Sequence, residues 1–281
     1  MLTPTTPVAL VEADVLRLDV GGAESNVAIH LARLGHPVAW ASRVGNDPFG
    51  RRVVATVADA GVDTSYVATD EDAPTGVYFK DPAGSGVLYY RANSAASRMN
   101  ETWLATVPIA SARIVHLSGI TPALSATCAD LLDAVIATAH RTGVLVSFDV
   151  NYRPQLWPVG EAAPVLLSLA ERADLVFTGL DEAKLLWGTA AAVDVRRLLP
   201  GPPRLIVKDA SVGATEFLGT EETFVAAPVV SVIESVGAGD AFAAGYLSAF
   251  LAELDSGAAL SHGHSLAASA LQSILDVPGK D

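Results

Sequence analysis

The chain has 281 residues, of which 51% are hydrophobic and 17% are charged. This composition supplies enough apolar surface for a continuous core and excludes intrinsic disorder as a description of the whole chain. Eighteen Lys and Arg residues against 31 Asp and Glu residues give a formal net charge of -13. That sign disfavours binding along a nucleic-acid backbone, so we expect no nucleic-acid partner.

Cys128 is the only cysteine, which excludes an intramolecular disulfide and a Cys-based metal cluster and favours a cytoplasmic location. No apolar run approaches the length that crosses a bilayer, and the N-terminus has no basic segment leading into a long apolar run. We therefore expect no membrane partner.

In chain order, the first predicted elements alternate between helix and strand. A helix is predicted over 25–34, ended by Gly35, and a strand follows in PVAWASRVG. A second helix over 51–60, ended by Gly61, leads into the extended segment VDTSYVAT. This alternation is typical of an α/β fold.

The pattern changes between Thr75 and Arg91, where TGVYFKD and GVLYYR flank PAGSG and predict a β-hairpin. After Pro108 the alternation returns. The predicted elements are strand ARIVHLSGI, helix SATCADLLDAVIATAHRTG, strand VLVSFDVN, a helix over 161–172, strands DLVFTGL and RLIVKD, and a helix over 238–254. Helical crossovers between apolar strands predict a mostly parallel sheet flanked by helices on both faces.

The segment SVGAGDAFAAG carries the strongest chemical signal. Gly237 and Gly239 let a backbone approach an anion, and the free amides at a helix start favour negative charge. Asp240 at the same turn is placed to take a proton from an attacking hydroxyl. A structural glycine turn, with Asp240 as a helix cap, is the alternative reading of this segment alone.

A second glycine pair opens GGAESN, where Gly22 allows close approach and Asn26 both donates and accepts hydrogen bonds. Together, GGAESNVAIHLARLG and VGAGDAFAAG resemble the two signatures of the PfkB, or ribokinase-like, carbohydrate kinases. The resemblance implies one α/β domain over 1–281 with a discontinuous β lid from roughly 7–20 and 74–92. It also implies ATP and Mg2+ as cofactors, with K+ dependence open because Glu234 stands where relatives more often have Asp.

Four segments look more specifically like the kinases of 2-keto-3-deoxygluconate, an acidic keto sugar: GGAESN, LYYRANSAASRM, FDVNYRPQLW and GLDEAKLLWG. An acidic sugar needs a cationic partner, and Arg91 and Arg153 carry guanidinium forks suited to a carboxylate. The expected activity is phosphorylation of that sugar at its 6-hydroxyl.

The resemblance also implies roles for individual residues, which stand as predictions. The catalytic set is Asp240, Gly237, Ala238 and Gly239, and the sugar contacts are Gly22, Asn26, Tyr78, Tyr89, Arg91 and Arg153. The nucleotide and phosphate contacts are Asn151, Lys208, Ser211, Gly213, Gly237 and Gly239, and Glu182 helps to hold hydrated Mg2+.

Two departures from the family pattern lead to expectations. The family's first strand does not precede the lid segment, so we expect a neighbouring strand with an exposed edge. In the nucleotide loop, Ala210 replaces a common Gly.

His262 and His264 show no zinc-site pattern and are predicted to lie in a solvated loop.

Three alternatives stay open. One is a kinase of a neutral sugar such as fructose or ribose, and another is a nucleoside kinase. The third, from another class, is a catalytically silent sugar- or nucleotide-binding protein. Exposed edges of the lid sheet also invite a homo-oligomer.

Overall fold

The computed structural model describes residues 1–6, 8–81, 83–84, 86–273 and 277. Within them the chain folds into three β-sheets and a set of helices, in the mixed α/β class expected from the sequence. The strands are β1 (Leu2–Pro4), β2 (Leu16–Leu18), β3 (Ser42–Gly45), β4 (Val67–Asp70), β5 (Val77–Asp81), β6 (Gly86–Tyr90), β7 (Ile114–Ser118), β8 (Leu145–Asp149), β9 (Leu175–Gly179), β10 (Arg204–Asp209), β11 (Gly213–Leu218) and β12 (Glu221–Ala226). The helices are α1 (Ala23–Arg33), α2 (Pro48–Asp59), α3 (Glu101–Leu104), α4 (Ala126–Thr142), α5 (Val159–Glu171), α6 (Leu180–Trp187), α7 (Ala192–Leu198), α8 (Ala238–Leu251) and α9 (Ser256–Leu271).

The largest sheet has six strands in the order β12-β11-β10-β9-β8-β7. Strands β7 to β10 run parallel, and β11 and β12 continue the sheet antiparallel. All five residues of β9 are buried, as expected for a central strand of near-continuous apolar sequence. Because parallel strands end at the same edge, the carboxyl ends of β8, β9 and β10 bring Asp149, Gly179 and Lys208 together.

Helices cover both faces of this sheet. The cluster on one face is built from α4, α5, α6 and α7, with Leu132 and Leu166 among its buried side chains. The opposite face carries α1, α8 and α9, where Val27 packs with Tyr246 and Leu260. The sheet is thus enclosed as the helical crossovers predict.

A separate four-stranded sheet, here called the small sheet, has the order β2-β1-β5-β6. Its β5 and β6 are antiparallel with Tyr78 opposite Tyr89, which confirms the predicted hairpin. Two of the turn residues, at positions 82 and 85, and position 7 at the predicted start of the lid lie outside the described residues. The sheet also includes β1, a strand that the sequence pattern did not indicate.

Strands β3 and β4 pair in parallel as a third sheet of two strands. Among the described residues, β7 pairs only with β8, and four of its five residues are half-buried.

The prediction of a solvated loop at the C-terminal histidines was wrong, because His262 and His264 lie on α9. This helix packs against α8 at glycines: a Cβ on Gly245 would stand 2.5 Å from the carbonyl oxygen of His262. Because α9 is rich in small residues, its sequence shows no distinct apolar and polar faces from which a helix could be predicted. The close packing against α8 stabilises the helix. His264 is buried in the contact and Gly263 lies against Phe242.

Candidate active site

The glycine turn, defined as Ser235–Gly239, leads directly into α8. Gly237 is the N-cap residue of that helix and has a φ of +88°, a left-handed conformation that costs an L-residue about 1–2 kcal/mol. The first amides of α8 have no partner within the helix and carry its positive dipole end. The turn therefore has the geometry and the partial positive charge that favour an anion.

Asp240, in the first turn of α8, is buried at the centre of a polar cluster. The Nδ2 of Asn26, from α1, donates to its Oδ2 at 2.8 Å, and the Nδ2 of Asn151, just after β8, donates to its Oδ1 at 3.5 Å. Asn151 has a φ of +37°, a left-handed conformation that asparagine tolerates better than most residues. Two segments distant in sequence thus orient one carboxylate.

The two asparagines have unused hydrogen-bonding capacity. The Oδ1 atoms of Asn26 and Asn151 are buried, and neither has a hydrogen-bond partner within the described part of the chain. Buried carbonyl oxygens are rarely left without a donor in a complete site. A polyhydroxylated ligand beside Asp240 would supply the missing donors.

A partly buried ion pair lies next to the glycine turn. The Nζ of Lys208, at the end of β10, is 3.0 Å and 3.3 Å from the two carboxylate oxygens of Asp149, at the end of β8. Burial opposes the charge of Lys208, but attraction to Asp149 and Glu182 prevails and raises its pKa. A Cβ on Gly239 would stand 3.6 Å from this Nζ, so the ammonium lies next to the turn.

Glu182 occupies the start of α6, where its Oε2 accepts a hydrogen bond from the backbone N of Gly179 at 2.9 Å. Its Oε1 lies 3.4 Å from an Nη of Arg153. Burial raises the pKa of Glu182, and repulsion from Asp149 adds to that rise. Burial opposes the charge of Arg153, while the Glu182 carboxylate raises its pKa.

The small sheet contributes one aromatic and cationic face. Alternation along β5 and β6 places Tyr78 and Tyr89 on the same face, with ring centroids 5.8 Å apart. Burial raises the pKa of Tyr89, although Arg153 and Arg91 lower it. Both arginines therefore lie close to one tyrosine, one reaching it from the small sheet and the other from the α/β body.

Arg91 is the least compensated cation of the site. Its Nε is closed off from solvent and has no hydrogen-bond partner among residues that the structure describes. Burial lowers the pKa of Arg91, while the nearby Glu24 carboxylate works against that shift. Glu24 is itself held by the hydroxyls of Ser118 and Thr121, at 2.7 and 2.8 Å.

Most of the predicted site residues lie close together around Asp240. Ser211 and Gly213 of the predicted nucleotide loop are less closely connected to that group. Ser211 is exposed in the turn between β10 and β11, and Gly213 begins β11. A Cβ on Gly213 would meet the carbonyl oxygen of Val225 at 2.4 Å, so packing alone requires that glycine. Ala210 has a φ of +40°, which explains why glycine suits this position. Gly22 is the N-cap residue of α1, one turn from Asn26.

Sequence reasoning missed three charged residues. Glu24 and Asp149 lie inside segments already singled out, GGAESN and FDVN, but nothing in the spacing showed which charges they would face. Lys80 could have been found from strand alternation, because it lies two residues after Tyr78 and so shares its face. Trp40, Trp103, Trp157 and Trp187 pack against the core clusters.

Comparison with known proteins identifies the family of this chain. The pattern described as pfkB family carbohydrate kinase matches residues 3–277. The chain belongs to the pfkB family of carbohydrate kinases. It is therefore a phosphotransferase that acts on a sugar hydroxyl, as the paired signatures predict.

Two curated relatives and one solved structure illustrate the similarity. The chain is 37% identical over 277 residues to 2-dehydro-3-deoxygluconokinase of Bacillus subtilis, covering 95% of this chain and 85% of that protein. It is 34% identical over 263 residues to 2-dehydro-3-deoxygluconokinase of Thermoproteus tenax, covering 90% of this chain and 80% of that protein. The crystal structure of a PfkB protein from Polaromonas sp. JS666 superposes with a TM-score of 0.89 at 36% identity, covering 97% of this chain and 92% of that one.

No helix among the described residues is long and apolar enough to cross a membrane.

Proposed function

We propose that the chain transfers the γ-phosphoryl group of ATP to the 6-hydroxyl of 2-keto-3-deoxygluconate, also called 2-dehydro-3-deoxygluconate. The observation that carries this choice of sugar is Arg91, a half-buried arginine whose Nε is buried and lacks a partner among the described residues. A guanidinium in that position matches the carboxylate that distinguishes this sugar from neutral hexoses. The names of the two curated relatives support the same substrate.

In this proposal the sugar lies between the small sheet and Asp240. Gly22 allows close approach, Asn26 accepts a hydrogen bond from a sugar hydroxyl through Oδ1, and Tyr78 and Tyr89 close over the ring. Arg91 holds the carboxylate, and Arg153 stands at the border between sugar and phosphates. The unused acceptor of Asn26, adjacent to the Asp240 carboxylate, supports this position for a sugar hydroxyl.

Phosphoryl transfer then follows from the geometry around Asp240. Its carboxylate takes the proton of the 6-hydroxyl, the sugar oxygen bonds to the γ-phosphorus, and the bond to the bridging oxygen breaks as ADP departs. The amides of Gly237, Ala238 and Gly239 face the charge that develops on the transferring group. Lys208, next to the turn, stabilises that charge, and Asn151 contacts the phosphates.

The nucleotide is proposed to lie along the β10–β11 turn, where Ser211 is exposed and Gly213 opens the next strand. Mg2+ is proposed to be held mainly through water and phosphate oxygens. No cluster of three or more His, Cys, Asp or Glu residues within the described residues could hold it directly. Glu182 would hold a water ligand of that ion, which neutralises phosphate charge when bound. K+ dependence stays open in this proposal.

The substrate assignment is tested by Arg91→Ala. We expect kcat/KM for 2-keto-3-deoxygluconate to fall about tenfold to a hundredfold, because a charge-assisted hydrogen bond to a carboxylate contributes roughly 1.5–3 kcal/mol. Any turnover of fructose should change little. Arg98→Ala, which removes a half-exposed arginine paired with Asp70, is the matched control. Undiminished use of the acidic sugar by Arg91→Ala would refute the carboxylate role.

The catalytic assignment is tested by Asp240→Asn. The amide keeps an oxygen for Asn26 but cannot take a proton, so kcat should fall by about a hundredfold or more. Asp133→Asn, at a surface ion pair with Arg172, controls for the loss of one negative charge. Near-normal turnover by a folded Asp240→Asn enzyme would rule out this residue as the base.

The alternative functions are separated by one set of assays. A substrate panel of 2-keto-3-deoxygluconate, fructose, ribose and nucleosides distinguishes the acidic-sugar kinase from kinases of neutral sugars or nucleosides. Thermal shift with ATP and sugar, run beside a coupled assay for ADP, addresses the silent-binder alternative. Ligand-induced stabilisation without ADP release would favour a binding protein.

We also propose that the small sheet is the lid of a single domain and that this sheet is where copies of the chain pair. Its outer side exposes Tyr90, which is 64% exposed, and the neighbouring segment exposes Val11, at 93%. Light scattering after size-exclusion chromatography tests this pairing, and a monomer at micromolar concentration would contradict it.

We propose a cytoplasmic location because of the family to which the chain belongs and because the chain has a single cysteine.

A further inference from the structure

Lys80 is a buried cation on the small sheet that the mechanism above does not use. Its residue is only 2% exposed, which is unusual for lysine. Strand alternation along β5 turns Lys80 to the same face as Tyr78, the face that carries the aromatic and cationic residues of the site. Lys80 therefore points toward the α/β body and away from solvent.

One partner of Lys80 is Glu234, immediately before the glycine turn. Its Oε2 lies 3.4 Å from the Nζ of Lys80. Its Oε1 accepts hydrogen bonds from the backbone N of Ser235 at 2.8 Å and of Val236 at 3.2 Å. One carboxylate thus joins a lysine of the small sheet to the backbone that begins the glycine turn.

This contact makes two distant segments depend on each other. A buried ammonium is costly unless an anion compensates it, so the closed position of β5 is favoured while Glu234 faces Lys80. Conversely, if the small sheet lifts away, Glu234 loses its cation and its side chain is free to leave the amides of Ser235 and Val236. The conformation of the glycine turn is therefore linked to the position of the small sheet.

We propose that Lys80 is a positioning residue that couples closure of the small sheet to the phosphate-binding form of the glycine turn, acting through Glu234. The proposal rests on the kinase function proposed above and adds a condition to it. The turn presents its amides fully only when the small sheet has closed over a sugar. Phosphoryl transfer to water is thereby disfavoured when the sugar is absent.

The decisive variant, Lys80→Met, removes this charge while nearly keeping the length of the side chain. We expect Lys80→Met to lower kcat at least about tenfold, because breaking a buried pair leaves Glu234 uncompensated, while Lys80→Arg retains most activity. Glu234→Gln combined with Lys80→Met should be no worse than Lys80→Met alone. In Lys80→Ala, added ethylammonium should restore part of the lost kcat. Lys184→Met, at an exposed lysine on α6, is the matched control.

A second measurement does not depend on turnover. Hydrogen exchange at the amides of 235–239 should slow when 2-keto-3-deoxygluconate and a non-hydrolysable ATP analogue bind wild type, and should slow much less in Lys80→Met. If Lys80→Met does not fold, Lys80→Arg and Glu234→Gln carry the same comparison. Wild-type kcat in Lys80→Met, or equal exchange protection in both proteins, overturns the coupling.

The two proposals fail in different ways. If wild type phosphorylates no sugar in the panel, the proposed function is wrong. The coupling is still judged by the ligand-dependent exchange at 235–239, and the absence of any difference between wild type and Lys80→Met overturns it. If wild type is an active kinase and Lys80→Met matches it, only the coupling is wrong.

Discussion

Gly239→Ala separates what the fold requires of the glycine turn from what the ligand requires. A Cβ at Gly239 would have the Lys208 ammonium nitrogen as its nearest neighbour, at 3.6 Å, which is ordinary van der Waals contact. Gly239 lies in the first turn of α8, and its φ is not positive. The protein's own packing therefore leaves room for a methyl group.

The expected energies follow from that geometry. Replacing glycine by alanine in a helix contributes up to about 1 kcal/mol, so the free energy of unfolding should stay constant or rise slightly. The methyl group would occupy space that the proposed transferring phosphoryl group needs. We expect kcat/KM to fall about a hundredfold to a thousandfold, because a phosphoryl group displaced by the methyl would lose backbone donors that contribute roughly 3–4 kcal/mol to the transition state.

Urea unfolding and a coupled ADP assay measure the two effects on the same sample. Gly257→Ala is the matched control, because this glycine also lies in the first turn of a helix and its Cβ would meet only Asp255 Oδ1, at 3.4 Å. Gly237→Ala should lose both stability and activity, because its φ of +88° strains an alanine. Unchanged kinetics in Gly239→Ala, or a loss of more than about 1 kcal/mol of stability, would refute the reasoning.

Two further predictions concern buried charges. Lys208→Met should lower the free energy of unfolding by about 3 kcal/mol because it strands Asp149, and adding Asp149→Asn should recover part of that loss. Strictly additive effects in urea unfolding would contradict this pairing. Burial lowers the pKa of His264, and this effect outweighs the hydrogen bond to the Val225 carbonyl, which raises it. The unfolded chain therefore binds the proton more readily than the folded protein. Stability is lost as pH falls below about 6.5. His264→Gln should lose less unfolding free energy than wild type between about pH 7.5 and 5.5, measured by urea unfolding, and an equal loss in both proteins would contradict this.

Local patterns were sufficient for most of the elements. The helix over 126–142 begins at the Ser125 cap and ends at Gly143, and both signals are readable in the sequence. The tight alternation of β5 and β6 predicted their hairpin. The strand β1 escaped prediction because its three residues are too few for any periodicity, and only pairing with β2 and β5 holds them extended.

The C-terminal helix shows a different limit. Sequence Ser256–Leu271 is rich in Ala, Gly and Ser, so it presents no apolar stripe and its histidines suggested a loop. Its stability comes from contact with α8, where glycines let the two backbones approach closely. Such contact energy belongs to a pair of helices and cannot be seen in either sequence segment alone.

The sequence by itself determined the parts of the site that are built from consecutive residues. The glycine turn with Asp240, and the segment from Gly22 to Asn26, are local features. Glycine conformation and the free amides at a helix start depend on neighbours in the chain. The tertiary structure alone decided which charges face one another. Asp149 meets Lys208, Glu24 lies near Arg91, and Lys80 meets Glu234 because strand ends and the small sheet bring them together. Electrostatic energy depends on distance in space and on burial, and separation along the chain specifies neither.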